Sequence, residues 1–406
     1  MMLKTKGLSL VVPAMLLGAI PASGQITAPR EAAQIELGPV SLYPGLQIVD
    51  AGVDDNVFND GTAPQRDYTL TVASRVLSVI RLGGNELMFQ TGNDYVWFRE
   101  SASERSSNAQ YSVRFNLSAS RFKPFIGAER VRTRMRPGPE IDARARRIDR
   151  NAVAGLGFDL TPRTSLRASV KFDDSTFEKG ETFRGVALDE ALNRTGRGAE
   201  TGVRYSVTPL TTLSVLAGYE EQTFDGTHLR DLKRYTLGPT VEFSPEAAIR
   251  GRASLVYEMF EPNNPELGRR TGVAYQAQIN WALYGRTAFD LGAGRNISYS
   301  YLDTDPYYQL TNVRLQVTQP LAGRLDLFGS GSFDRMAYRW TLAGGVADTA
   351  SARVDNVTGY SGGFGIHLGR GFLLRLGLEK TQRRSPTDPL QNYRRTRILS
   401  TVTIGS

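Results

Sequence analysis

Between Asn108 and Ser120 the chain alternates strictly, and few folds accept such a segment. Ala109, Tyr111, Val113, Phe115, Leu117 and Ala119 hold the odd positions. Gln110, Ser112, Arg114, Asn116, Ser118 and Ser120 hold the even ones. In a β-strand this period of two places every apolar side chain on one face and every polar one on the other. A turn at Arg121–Lys123 follows, and Pro124 opens a return strand to Arg136. There Val131, Thr133 and Met135 alternate with Arg130, Arg132, Arg134 and Arg136. Two settings suit such a hairpin. A soluble sandwich turns its greasy face to a protein core, and a transmembrane barrel turns it to lipid around a wet lumen.

The rest of the chain separates the two settings. Strand-like segments recur near 45–56, 66–81, 85–100, 108–120, 124–136, 149–160, 163–174, 198–208, 211–224, 232–243, 248–260, 270–283, 286–301, 308–319, 323–337, 353–368, 371–383 and 391–405. Further apolar faces are Ala152, Ala154, Leu156, Phe158, Leu160; Leu166, Ala168, Val170, Phe172; Leu213, Val215, Ala217, Tyr219; and Leu374, Leu376, Leu378. Segments of this length exceed ordinary globular strands and suit tilted membrane strands. Short connections such as Thr161–Pro162, Pro209–Leu210 and Tyr284–Gly285 alternate with long polar ones such as 137–148 and 175–197. Short turns on one rim and long loops on the other are the pattern of outer-membrane barrels. The expected fold is therefore all-β, one transmembrane antiparallel up-and-down barrel of about 18 strands, with 16 as the alternative count. An even count leaves both termini on the short-turn side.

The N-terminus reads as an export signal. Lys4 and Lys6 precede an apolar core from Leu8 to Ile20, and Ala22-Ser23-Gly24 is a small-residue cleavage site. Cleavage after Gly24 leaves Gln25 first, so no lipoprotein cysteine is indicated. The expected organisation is a signal peptide at 1–24, a periplasmic leader at 25–44 and the barrel at 45–406. No later segment approaches the roughly 20 apolar residues of a spanning helix, so any crossing is made by strands. With no cysteine in the sequence, disulfides, thiolate metal sites and thiol catalysis are excluded. The formal net charge is +8, and nearly all the positive charge is arginine.

Chemistry is expected along the lumen. On the lipid face an arginine costs about 2–4 kcal/mol at the bilayer midplane. Two such residues would cost roughly 4–8 kcal/mol, comparable to the stability of a whole domain. The ladder Arg130, Arg132, Arg134 and Arg136, with Arg114 on the paired strand, is therefore expected to face the lumen and guide an anionic solute. Two blander readings stand beside it. Carboxylates on neighbouring strands would neutralise a purely structural ladder, or Arg134 and Arg136 would sit above the membrane and bind lipopolysaccharide phosphates. Loop 175–197 carries Glu178, Glu181, Asp189 and Glu190, and is expected to fold inward as an acidic wall of a constriction facing the arginines. An ordinary exposed loop is the alternative.

Catalysis is not expected. His228 lies near Asp225 and Thr227, and His367 shares a strand with Ser361, but neither spacing is a hydrolase signature. Asp54-Asp55-Asn56 and Asp303-Thr304-Asp305 lack the full ligand pattern of a calcium loop. No cofactor, metal or nucleic acid is indicated.

Leu42-Tyr43-Pro44-Gly45-Leu46-Gln47-Ile48, followed by Gly52-Val53-Asp54-Asp55-Asn56-Val57-Phe58, resembles the opening of a family of outer-membrane β-barrel porins associated with exopolysaccharide and capsule biosynthesis loci. The Asp-Asp-Asn-Val-Phe turn is its most recognisable piece, and the strand rhythm matches the family along the mature chain. The resemblance implies a pore that exports a surface polysaccharide, with outer-membrane lipid, lipopolysaccharide and periplasmic export proteins as partners. No catalytic residues carry over. The expected function is export of an acidic exopolysaccharide through an outer-membrane pore. Diffusion of small anions or sugars is the alternative within transport, and a plugged structural or adhesive barrel is the alternative outside it.

Overall fold

A computed structural model describes residues 33–321, 323–339, 353–369 and 371–404. The export signal expected at 1–24 lies outside the described residues. The barrel strands are β1 (Val40–Asp54), β2 (Asp67–Leu82), β3 (Asn85–Phe98), β4 (Ser106–Asn116), β5 (Phe122–Met135), β6 (Ala145–Asp159), β7 (Thr164–Phe177), β8 (Arg194–Thr208) and β9 (Thr211–Phe224). They continue as β10 (Leu232–Phe243), β11 (Ile249–Pro262), β12 (Arg270–Leu283), β13 (Thr287–Tyr299), β14 (Tyr307–Pro320), β15 (Leu325–Tyr338), β16 (Val354–Gly369), β17 (Phe372–Arg384) and β18 (Tyr393–Ile404).

Each strand pairs antiparallel with the next, and β18 returns to β1 with Leu46 opposite Ile404 and Asp54 opposite Arg397. Closure removes the two open edges whose unpaired amides lipid could not satisfy. The 18 expected strands are all present, most within a few residues of the boundaries read from the alternation. One boundary differs. β1 begins at Val40, opposite Ile80, and Ile35–Leu37 pairs back onto Val40–Leu42. Part of the expected leader is thus built into the wall, with Gly38 taking a left-handed turn that a side chain would strain.

Exposure shows which face meets what. Ile126 is 59% exposed, Val170 59%, Leu237 56% and Ile398 64%, all on the outward phase of their strands. A continuous belt of exposed Leu, Val, Ile and Tyr around the wall is what lipid contact requires and what a soluble protein avoids. The inward phase carries Arg, Asp, Glu, Gln, Asn and Gly. Turns such as 83–84 and 209–210 define one rim, and the loops 136–144 and 178–193 rise from the other. By the pattern above, the loop rim is the outward one and the turn rim the periplasmic one.

Candidate functional site

The lumen has two distinct ends, and the wall strands set both. Near the periplasmic rim, β4 points Arg114 inward, and the side chain is 9% exposed. Its Nε donates to Asn116 Oδ1 at 3.0 Å, and its guanidinium lies 4.7 Å from the centre of the Phe125 ring on β5. Arg167 of β7 places its own guanidinium 4.9 Å from the same ring centre. The ring fits there because Gly155 lies beneath it; a Cβ at that position would come within 2.4 Å of Phe125. Among the described residues neither Arg114 nor Arg167 has a carboxylate within ion-pair distance. Arg114 Nη1 and Arg167 Nε are also buried without a hydrogen-bond partner. Beside them Arg204 of β8 and Arg252 of β11 share one carboxylate, Glu242, at 2.6 and 3.8 Å.

Most other inward charges are matched. Arg75 meets Asp94 at 2.6 Å, Lys171 meets Glu220 at 3.0 Å, Arg234 meets Glu258 at 3.5 Å and Arg397 meets Glu379 at 2.6 Å. Two arginines without a carboxylate at ion-pair distance therefore stand together at the periplasmic end of β4 and β7. One strip of wall stays wet along most of its length. Arg270, Gly272, Gln276, Gln278 and Asn280, on the inward phase of β12, are all exposed.

The outward end is packed. Loop 136–144 crosses the mouth and buries Glu140, which is 1% exposed. Its carboxyl accepts from Ser300 Oγ at 2.7 Å, Tyr338 Oη at 2.8 Å and the Tyr301 amide at 3.2 Å. Burial outweighs these three donors and raises the Glu140 carboxyl to about 7. Arg383 of β17, with no exposed surface, donates to Glu140 O at 2.9 Å, Asp142 Oδ2 at 2.6 Å and Asp355 Oδ2 at 2.8 Å. Burial also raises the Asp142 carboxyl against the pull of Arg383 and Arg136.

Loop 178–193 packs beside loop 136–144. A small hairpin pairs Thr182–Phe183 with Val186–Ala187, and a helical turn Leu188–Leu192 follows. Phe183, Leu188, Ala191 and Leu192 pack with Ile141, Phe177, Phe224 and Tyr301. Arg184 at the hairpin tip reaches Asp388, between β17 and β18, at 3.0 Å.

Against this geometry the expected site divides. Arg114 faces the lumen. Arg130 and Arg132 do not. Arg130 stands opposite Tyr111 and Arg132 opposite Ala109, on the same outer face as the exposed Val113 and Ile126. The inward phase of β5 is Phe125, Gly127, Glu129, Val131 and Thr133, and Glu129 accepts from Gln110 Nε2 at 2.6 Å. The energetic argument for an inward ladder holds only at the bilayer midplane. With about 2.5 Å of height per tilted residue, Arg130 lies roughly 20 Å above Phe122, where the cost falls to about 0–1 kcal/mol. Arg134 turns to Glu104 at 3.1 Å on the outward rim. Arg136 lies in the packed mouth, donating to Val57 O at 2.7 Å and Asp142 O at 2.6 Å, and burial lowers it to about 10.

Loop 178–193 does fold across the mouth, but its apolar residues face in. Glu178 and Glu181 lie 3.6 and 3.8 Å from Arg146 on the outer side, and Asp189 and Glu190 occupy the first turn of the short helix. Among the described residues no acidic wall from this loop faces the arginines. His228 Nδ1 pairs with Asp231 at 2.9 Å, and His367 Nε2 with Asp326 at 3.0 Å. Asp54 is bound by Arg395, with Nε at 2.9 Å, while the Asp55 carboxyl accepts from the Thr396 amide at 2.6 Å. Asn56 Nδ2 donates to Arg394 O at 2.9 Å. The Asp-Asp-Asn turn therefore clamps the first loop onto β18 at the closing seam. Sequence reading missed Arg167, Arg204, Arg252, Glu140 and Arg383. Alternation marks the first three as polar-phase residues, but nothing local separates them from other inward arginines.

The family model described as "Putative beta-barrel porin 2" matches residues 28–405. The chain belongs to that family. A search of curated proteins found no match for this porin. Among solved structures, Pseudomonas aeruginosa OccK2 (OpdF) aligns at 11% identity with a TM-score of 0.50, covering 89% of this chain and 97% of that one. A BenF-like porin from Pseudomonas fluorescens Pf-5 aligns at 11% identity and a TM-score of 0.50, covering 91% and 100%. These likenesses concern the fold: a closed outer-membrane barrel of 18 antiparallel strands.

Proposed function

We propose that this porin is a diffusion channel for small anionic solutes. The observation that carries the reading is the pair Arg114 and Arg167 flanking Phe125 in the lumen, with no carboxylate partner among the described residues. A guanidinium with no carboxylate at ion-pair distance, set in the wall of a channel, attracts a carboxylate or phosphate. Solute would enter past the exposed inward side chains of β12, reach the arginine pair, and leave at the periplasmic rim. Export of an acidic polymer fits less well, because loops 136–144 and 178–193 pack across the mouth through buried side chains. That same packing favours a second reading, a structural barrel with a closed lumen.

Osmotic swelling of liposomes separates them. Vesicles holding the porin should swell faster in a small monocarboxylate than in a neutral sugar of similar size. They should not admit an acidic oligosaccharide. Equal rates for acid and sugar would remove the anionic reading, and no swelling in any solute would leave the structural barrel.

A further inference from the structure

The outer wall carries a second arginine cluster that diffusion does not use. Arg130 and Arg132 on β5 and Arg146 and Arg150 on β6 share the outward phase near the loop rim. Arg130 stands directly opposite Arg150, and Arg134 opposite Arg146. Like charges paired across strands repel, which favours a counter-anion beside them. The protein supplies only part of one. Asp174 of β7 meets Arg150, Glu104 meets Arg134, and Glu178 and Glu181 meet Arg146. Among the described residues Arg130 and Arg132 make no ion pair, and both are exposed.

Depth narrows the identity of the anion. Below the cluster the same wall is Ile126, Ala128, Val113, Ala152 and Leu156, the lipid-facing belt. Tyr111 stands opposite Arg130, an aromatic at the level where acyl chains give way to headgroups. With about 2.5 Å of height per residue, Arg130 and Arg132 lie roughly 20–25 Å above the periplasmic end of β5. That matches the upper edge of a hydrocarbon band about 25 Å tall. An anion there is attached to a lipid of the outward leaflet.

We propose that Arg130, Arg132 and Arg150 form a docking site for the phosphates of a phosphorylated outer-leaflet glycolipid, with its acyl chains lying along Ile126, Val113 and Leu156. Arginine suits this role because its planar fork binds a phosphate with two parallel hydrogen bonds. The site lies outside the lumen, so it stands or falls separately from anion diffusion.

Native mass spectrometry of the detergent-solubilised porin tests it, using bisphosphorylated lipid A as the probe. The wild-type protein should hold one lipid A at concentrations where lipid A stripped of both phosphates binds at least tenfold less. R130Q/R132Q/R150Q should lose that tenfold preference while keeping wild-type channel conductance. Equal binding of the two lipids by the wild-type protein overturns the proposal without any variant, since the acyl chains alone would then account for binding. An undiminished preference in the triple variant overturns it as well.

Discussion

The Tyr338 hydroxyl donates to Glu140 Oε1 at 2.8 Å, although 198 residues separate them in the chain. The contact ties the loop between β5 and β6 to the end of β15, on the far side of the mouth. Glu140 is thereby a fixed point of the outward plug.

The protonation of Glu140 should set how firmly that plug holds. Its folded value of about 7 lies above the ordinary carboxyl value of 4.5, so the folded loop binds a proton more tightly than the free loop. The stabilising contribution is full below about pH 4.5 and is lost as pH rises through 7. Arg353 opposes the shift, while the neighbouring Tyr301, Tyr308 and Tyr338 are neutral in this range. The shift corresponds to about 3 kcal/mol. Amide hydrogen exchange in 136–144, corrected for intrinsic rates, should lose protection between pH 5 and 8. Glu140→Gln should flatten that dependence.

Arg383 should tolerate no substitution. Its guanidinium bridges Asp142 and Asp355 in a site without exposed surface. Arg383→Ala leaves Asp142 without its ion-pair partner, while Asp355 keeps Arg353 at 2.7 Å, and should cost about 3 kcal/mol. Arg383→Lys should restore little, because one ammonium cannot span both partners as a planar fork does. The midpoint of heat-induced loss of the compact electrophoretic form reads the difference.

Legibility in the sequence followed the range of the interactions. Strand count and loop rhythm were readable because the period-two pattern is local: Leu166, Ala168, Val170 and Phe172 alternate within one strand and sit on the outer face as expected. The phase of Arg130 and Arg132 was also readable, since Ile126 and Ala128 precede them on the same face. It was misassigned because a midplane energy was applied to residues near the outward rim. The plug was not readable. Gly138-Pro139-Glu140-Ile141 looks like any polar loop, and the partners of Glu140 lie 160 to 198 residues away. Nor does spacing show that Arg114 and Arg167 share one phenylalanine ring, since β7 reaches it only across β6.

The cap formed by loop 178–193 should depend on Leu188. This side chain has no exposed surface and sits among Phe183, Phe224 and Tyr301. Leu188→Ala should weaken the cap by about 2–5 kcal/mol while leaving the wall paired. Trypsin should then cut after Lys179 and Arg184 faster than in the wild-type protein, with the barrel fragment otherwise intact.

The seam should respond to Asp54. Its carboxylate is 1% exposed and holds Arg395 of β18 and the Asn56 amide, at 3.0 Å for the latter. Asp54→Ala leaves Arg395 unpaired where β18 closes on β1, and should destabilise the barrel by about 3 kcal/mol. Lower resistance to heating in detergent would report it, with the single-channel conductance of assembled protein unchanged.

The most direct measurement is the reversal potential of the porin in a planar bilayer under a potassium chloride gradient. The exposed inward face of β12 and the unpaired Arg114 and Arg167 predict a conducting channel that prefers chloride. Replacing both arginines with alanine should lower that preference by about twofold for each charge removed, the effect of about 0.5 kcal/mol from a charge roughly 8 Å away in water. A channel with no anion preference, or one whose selectivity survives the double substitution, would contradict the account.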